Sequence, residues 1–239
     1  HNKGLCFLRP PAEGDASATA QLRFFGTLLG LAMRSDILLP LPLLPSVWKM
    51  LTGTPVTIAD VKDVDILTVN FLARVRDAAD EPELASLFSS VVPAAFVFTS
   101  LADNTEVELI PGGRQLPVTM ANREEFCRRV EELRLKELSE GPQVTAVMAG
   151  FLEQVPVDVP RITTWSELQV RCCGHATISL PMLKAHTRLQ TGVPAATVAM
   201  FWACLDKFTQ LQLRKFVRFA VAQERLPNVC PCVQAGVDA

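Results

Sequence analysis

The stretch from Thr197 to Pro227, TVAMFWACLDKFTQLQLRKFVRFAVAQERLP, leaves few folds open. Val198, Phe201, Trp202, Leu205 and Phe208 recur at helical spacing and share one face, with Asp206 and Lys207 on the other side. After a short break, Leu213, Phe216, Val217, Ala220 and Val221 make a second apolar stripe, opposite the wet face of Arg214, Lys215 and Arg218. Thr209 stands where it can cap the second helix. Pro227 forbids its continuation. On pattern alone this is a helical pair in a core.

The rest of the chain can supply that core. It has 239 residues, 49% hydrophobic and 20% charged, enough for one or two domains. A formal net charge of −2 offers no large basic field, so nucleic acid is not an expected partner. Mean hydropathy is +0.24, yet no run reaches the roughly 18 apolar residues of a membrane helix. The apolar run from Phe24 to Met33 is bracketed by Arg23 and Arg34, and that from Ile37 to Trp48 is interrupted by Pro40, Pro42 and Pro45. Both read as core, and no membrane contact is expected. The first residue is His1 and no signal-peptide pattern follows, so the chain is read as a fragment of something larger. Seven scattered cysteines, two pairs of them too close together, do not form a secreted disulfide framework. They predict a reducing, cytoplasmic setting.

Taken in order, residues 1–20 read as a loose lead-in with Pro10, Pro11 and Gly14. Gln21 to Arg34 follows as a helix with Leu22, Phe25, Leu28, Leu29 and Ala32 inward. Gly26 and Gly30 lie one turn apart in it. Each costs about 1 kcal/mol against alanine, which close backbone packing on a neighbouring helix would compensate. Pro45 opens a short helix ended by Gly53, and Thr57 caps another with Asp60 at its positive end. Asp60, Asp63 and Asp65 lack a glycine-centred loop and read as a solvated face, not a cation site. Asp65 to Ser90 is read as helical, with Leu67, Phe71, Leu72 and Val75 in register and an acidic break from Asp77 to Glu83. Val91 to Phe98 and Glu106 to Ile110 read as strands around a turn at Asp103-Asn104. Gly112-Gly113 make a second turn. Asn122 and Glu125 then have capping-box spacing for a helix from Phe126 to Leu138, stopped at Gly141-Pro142. Further helices are predicted from Gln143 to Gln154 and from Thr163 or Thr164 to the cap at Gly174.

Several of these motifs, in this order, resemble the N-terminal lobe of a HECT-type ubiquitin ligase. The carriers are RFFGTLLGLA, the proline-rich apolar stretch, VWKMLTG, TIADVKDVD, VELIPGGRQLPVTMANREEF, ELQVRCCG, FWACL, KFVRF and RLP. The resemblance runs from about Gln21 to Pro227. The proline-rich start and the VWK segment are similar to the HERC-like branch. There are departures: the family's Gly-Gly-Tyr turn is reduced to Thr191-Gly192, its Thr-Gly after the last helix is replaced within Ala220-Val221-Ala222, and the chain has no tyrosine.

The resemblance implies an α+β, mainly α fold: an elongated N-lobe of 21–227 with a large helical subdomain. That subdomain would hold Gln21 to about Gln154 and the closing helix near Thr209 to Gln223. A smaller inserted subdomain of about 155–208 would dock the ubiquitin-conjugating E2. It implies transthiolation, with ubiquitin passing from the E2 cysteine to a ligase cysteine and then to a lysine of a protein substrate. The family's catalytic cysteine lies in a Thr-Cys-Phe context. None occurs here, so no catalytic residue is assigned and the chain alone is expected to be inactive. By motif, the E2-binding residues would be Phe201 of the FW pair and Leu168 of the EL helix, with Leu205 one turn beyond Phe201. The alternative is a catalytically inactive, truncated E2-binding or scaffold module. A helical scaffold unrelated to ubiquitin is the third reading, which the ordered motifs disfavour. Residues 228–239 have no apolar periodicity and read as a disordered tail.

No other chemistry stands out. Cys127, Cys172 and Cys204 fall on predicted helices and read as buried and inert. Cys173 precedes glycine where the resemblance implies a structural role. Cys230 and Cys232 read as exposed thiols ahead of the family's catalytic position. Cys172, Cys173, His175 and His186 fit no usual tetrahedral zinc set, and Cys230-Pro-Cys232 is too tight for one. No metal or cofactor is expected, and no phosphate loop or serine elbow appears.

Overall fold

Where a cap and an inward apolar stripe coincide, the sequence folds as a helix. A computed structural model describes residues 4–12, 14–35, 37–79 and 82–227. Their helices are α1 (Ala16–Ser35), α2 (Pro45–Thr52), α3 (Ile58–Val64), α4 (Ile66–Asp77), α5 (Pro82–Val91), α6 (Arg123–Ser139), α7 (Pro142–Leu152), α8 (Val159–Ile162), α9 (Trp165–Cys173), α10 (Leu180–Ala185), α11 (Ala195–Asp206) and α12 (Gln210–Val221). A single antiparallel pair, β1 (Val97–Thr99) and β2 (Glu106–Glu108), sets Phe98 opposite Val107. The fold is α+β and mainly α. The chain divides into two compact units, one of His1–Leu28 and Pro42–Trp165, the other of Leu29–Leu41 and Ser166–Ala239. The division falls after Trp165, and α12 lies in the second unit. The tail of residues 228–239 lies outside the described residues.

In the first unit, Phe126 is the centre of the core. Its ring meets Phe96, Phe98 and Phe71 edge-on at 5.7, 6.4 and 6.5 Å, with Leu72, Val75, Phe88 and Val130 buried around them. α1 crosses α7 at glycine, as the sequence predicts. A Cβ on Gly26 would stand 2.8 Å from the Val147 carbonyl carbon, and one on Gly150 would stand 2.8 Å from that of Arg23. Arg23 also binds Glu153 through Nε at 2.7 Å.

Four local expectations are corrected. Residues 4–12 are not loose: Cys6 bridges to Leu43 in parallel, Arg9 donates from Nε to the Leu101 carbonyl at 3.2 Å, and α1 starts at Ala16. Leu67 points out, because Asp65 caps α4 and Thr68 takes the inward position. Asn122 makes no side-chain cap on α6. Its amide is consumed in the preceding turn, accepting from Thr119 N at 2.7 Å and donating to the Pro117 carbonyl at 3.0 Å. The hairpin strands are shorter than the sequence pattern, and Asn104 turns them with φ 62°.

Thr57 takes the N-cap position of α3 as predicted, with Asp60 as its capping-box partner, and Asp60 does more. Both its oxygens accept from Lys49 Nζ at 2.8 Å in a nearly buried pair. Burial pushes the Asp60 carboxyl up, but the Lys49 ammonium and the Thr57 donors outweigh it and hold it below the usual 3.8. A lowered folded value means stability that is complete above the unfolded value and lost as pH falls through the folded one. Asp60→Asn is therefore expected to cost about 1–2 kcal/mol at pH 7. The gap in melting temperature from the parent chain should narrow once the pH drops below 3.8. A gap that stays constant from pH 6 to pH 2.5 would remove the ion pair from this account.

The second unit is built on Leu205, Leu213, Val217, Ile178, Leu183 and Leu226. Gln210 of α12 clamps the Ile178 backbone, donating to its carbonyl at 2.8 Å and accepting from its N–H at 3.0 Å. Thr209 caps α12 with Gln212 as the box partner. Gly174 ends the α9 segment with φ 71°, and His175 N donates to the Leu226 carbonyl at 2.8 Å. Leu29 and Ala32 of α1 are buried in this unit, and the Cys172 thiol faces the Leu29 carbonyl at 3.6 Å. No helix among the described residues is long and apolar enough to cross a membrane.

Candidate functional site

Phe201, Leu168 and Leu205 all fall in the second unit, but in different settings. α11 has an inward arc already filled by Leu205, which is 2% exposed and part of the core. Leu168, on α9, is 0% exposed. Neither presents side-chain surface. Phe201 does, at 38%. Its ring lies 4.9 Å from that of Trp202 at 65° and 6.0 Å from that of Phe216. Trp202 and Phe216 are themselves packed on the core. Phe201 is thus an exposed aromatic resting on two half-buried ones, and its rotamer freedom is restricted before any partner arrives.

The same unit exposes further apolar side chains. Met200 neighbours Phe201 on α11, Leu189 and Val193 lie in the loop from α10 to α11, and Phe208 follows the last turn. The motif comparison did not single out Met200, Leu189 or Val193. Leu189 and Val193 carried one signal, as apolar residues in a loop otherwise written in His, Thr, Arg, Gln, Gly and Pro. Lys184 holds its ammonium 5.4 Å from the Trp202 ring centroid, a cation–π arrangement at the edge of this surface.

The cysteines divide cleanly. Cys127, Cys172 and Cys173 are buried. Burial pushes the Cys127 thiol up to about 11 and Cys172 up to about 12, and raises Cys173 as well. None is a nucleophile at neutral pH. Cys204 is exposed on α11, contrary to the sequence expectation, because Leu205 and Trp202 occupy the inward arc. Cys230 and Cys232 lie outside the described residues. Among the described residues, no three His, Cys, Asp or Glu side chains converge as metal ligands. Of the four zinc candidates, His186 instead places Nδ1 2.8 Å from the Met182 carbonyl of its own helix.

Comparison with known proteins agrees with the motif order. The sequence profile of the HECT domain (ubiquitin-transferase) matches residues 2–230. The chain is 38% identical over 254 residues to the human probable E3 ubiquitin-protein ligase HECTD4, covering 99% of this chain and 6% of that protein. It is 32% identical over 226 residues to the human E3 ubiquitin-protein ligase HERC2, covering 93% of this chain and 4% of that protein. To the E3 ubiquitin-protein ligase HACE1 of Danio rerio it is 27% identical over 208 residues, covering 86% of this chain and 22% of that protein. The chain therefore spans a small fraction of the length of these relatives.

Proposed function

The chain belongs to the HECT-domain (ubiquitin-transferase) family, and from that premise we propose that its second unit docks a ubiquitin-charged E2 through the surface centred on Phe201. Ubiquitin would then pass from the E2 to a ligase cysteine and on to a lysine of a protein substrate. The observation that carries this reading is the exposed Phe201 ring, fixed against Trp202 and Phe216. Interfaces concentrate their energy in such rigid aromatic anchors. Leu205 and Leu168 contribute from beneath: Leu205 holds α11 on the core and Leu168 holds α9, and neither touches the partner directly. The share of the reaction we propose for this chain is docking and not thioester formation: the 239 residues contain no Thr-Cys-Phe, and of the described cysteines Cys127, Cys172 and Cys173 are buried and only Cys6 and Cys204 are exposed.

Phe201→Ala separates the docking role from a packing role. A core phenylalanine cut to alanine costs about 3–5 kcal/mol of stability. An anchor at an interface centre costs about 2 kcal/mol of binding, roughly thirtyfold in affinity. The variant is expected to melt near the parent chain and to bind charged E2 about thirtyfold more weakly. Binding is read by calorimetry, and a non-reducing gel of the same mixture should carry no DTT-sensitive ubiquitin adduct on this chain. An unchanged affinity, or a largely unfolded variant, removes Phe201 from the site. An adduct lost on Cys6→Ser, Cys204→Ser, Cys230→Ser or Cys232→Ser would overturn the division of labour.

A further inference from the structure

The formal charge of −2 hides an uneven distribution. The second unit holds nine Lys and Arg against five Asp and Glu, a net +4, and the first holds fourteen against twenty, a net −6. Three of the nine cations of the second unit lie on α10, in the α10–α11 loop and just after α11, the segments that carry the exposed apolar side chains. Lys184 stands over the Trp202 ring, Arg188 sits in the α10–α11 loop next to exposed Leu189, and Lys207 follows α11 next to exposed Phe208. All three are exposed, and none makes an ion pair with a carboxylate among the described residues. Several other surface cations are paired: Arg128 and Arg129 with Glu125 and Glu132, Arg76 with Glu124 and Glu131, and Arg218 with Glu224. The one carboxylate in this neighbourhood is Asp206, on the last turn of α11. Lys184 reaches the anchor through Trp202, and Arg188 and Lys207 adjoin exposed apolar residues of the neighbouring segments, a combination of apolar and positive side chains complementary to an apolar projection flanked by carboxylates.

We infer that Lys184, Arg188 and Lys207 select the partner at this surface, favouring an E2 whose docking loops set Asp or Glu beside the apolar residue that meets Phe201. The inference rests on the docking role proposed above. The cations act mainly on encounter rate and specificity, and Phe201 mainly on residence. Salt should therefore weaken binding by raising the Debye screening between exposed charges, about 10 Å at 0.1 M. An exposed pair is worth a few-fold in affinity, so reversing two of the cations should cost about tenfold.

The test uses the full 239-residue chain and one E2 in two forms, one with Asp or Glu flanking its docking-loop apolar residue and one with those positions exchanged to Lys. Affinity and association rate are measured by surface plasmon resonance at 50 and 300 mM salt, for the parent chain, Phe201→Ala and Lys184→Glu/Arg188→Glu. The acidic E2 should bind the parent chain more tightly and lose affinity with salt. The double reversal should slow association, lower affinity about tenfold, abolish the salt effect and turn the preference toward the Lys form. If Phe201→Ala removes binding while charge reversal and salt leave it unchanged, the docking reading stands and the charge inference is overturned. If neither E2 form binds the parent chain, the docking reading itself fails. Circular dichroism of the double reversal checks that both surface changes leave the fold intact.

Discussion

Arg134→Leu is expected to cost about 3–5 kcal/mol of stability, an effect out of scale for an arginine in a helix written REEFCRRVEELRLKELS. The reason lies in what the guanidinium holds. Its side chain is 4% exposed, and it binds Asp65 at 3.0 Å through Nε and Glu137 at 2.7 Å through Nη1. Its other contact is with the Phe98 ring, 5.0 Å from the centroid. Glu137 in turn accepts from Ser100 Oγ at 2.8 Å and Leu101 N at 2.9 Å, while Asp65 caps α4 through Thr68. One cation therefore ties α4, α6 and the start of the hairpin loop together. Removing it leaves two carboxylates with little access to water and no compensating charge. Leucine fills much of the volume, so the loss measures charge rather than a cavity.

Arg128→Leu on the same helix is the control. Its partners Glu125 and Glu132 are solvent-exposed, so the change should stay within about 0.5 kcal/mol. Arg134→Lys should recover only part of the loss, because an ammonium lacks the planar fork that spans Asp65 and Glu137 and stacks on Phe98. Urea denaturation of the three variants decides the matter. A loss for Arg134→Leu as small as that for Arg128→Leu would show that the network is decoration.

Arg134 also marks where sequence reading ran out. The helices were legible because caps and stripes are local: Thr57, Thr209 and Gly174 all cap where their residue types predict. The buried arginine was less so: helical spacing puts Arg134 on the stripe of Phe126, Val130 and Leu138, unlike Arg128 and Arg129, but does not show the distant carboxylate that lets a charge stand there. Its partner Asp65 lies far away in sequence and was read as part of a solvated acidic face. At the candidate site, Phe201 could be named from the FW motif, but its exposure could not. The spacing Val198, Phe201, Trp202, Leu205 and Phe208 covers an arc wider than one neighbour can bury. Only the packing of Leu205 into the core fixes which edge stays open. Phe219 shows the same limit: it reads as one more aromatic of KFVRF and is 91% exposed on α12.

Gly150→Ala should be the second large loss, about 3 kcal/mol, and its sign runs against helix propensity. Propensity alone would have alanine stabilise α7 by about 1 kcal/mol. Ala149→Gly, one residue away on an exposed position, should follow that rule and cost about 1 kcal/mol. At Gly150 the added methyl would press on Arg23 backbone, with its carbonyl carbon at 2.8 Å and Thr27 N at 2.9 Å. Backbone cannot rotate away as the end of a side chain can, so α1 and α7 must separate. Separation breaks more than one contact. The Arg23–Glu153 pair spans the same crossing, and Gly26 on α1 makes the reciprocal approach to Val147 and Phe151. Gly26→Ala should therefore cost a similar amount. The double variant should lose clearly less than the sum, because the first methyl has already opened the crossing that the second would obstruct. Thermal and urea unfolding of the two single variants and the double one supply the cycle. Strict additivity would mean that the glycines act at separate places, and a stabilised Gly150→Ala would mean that the helices do not meet there.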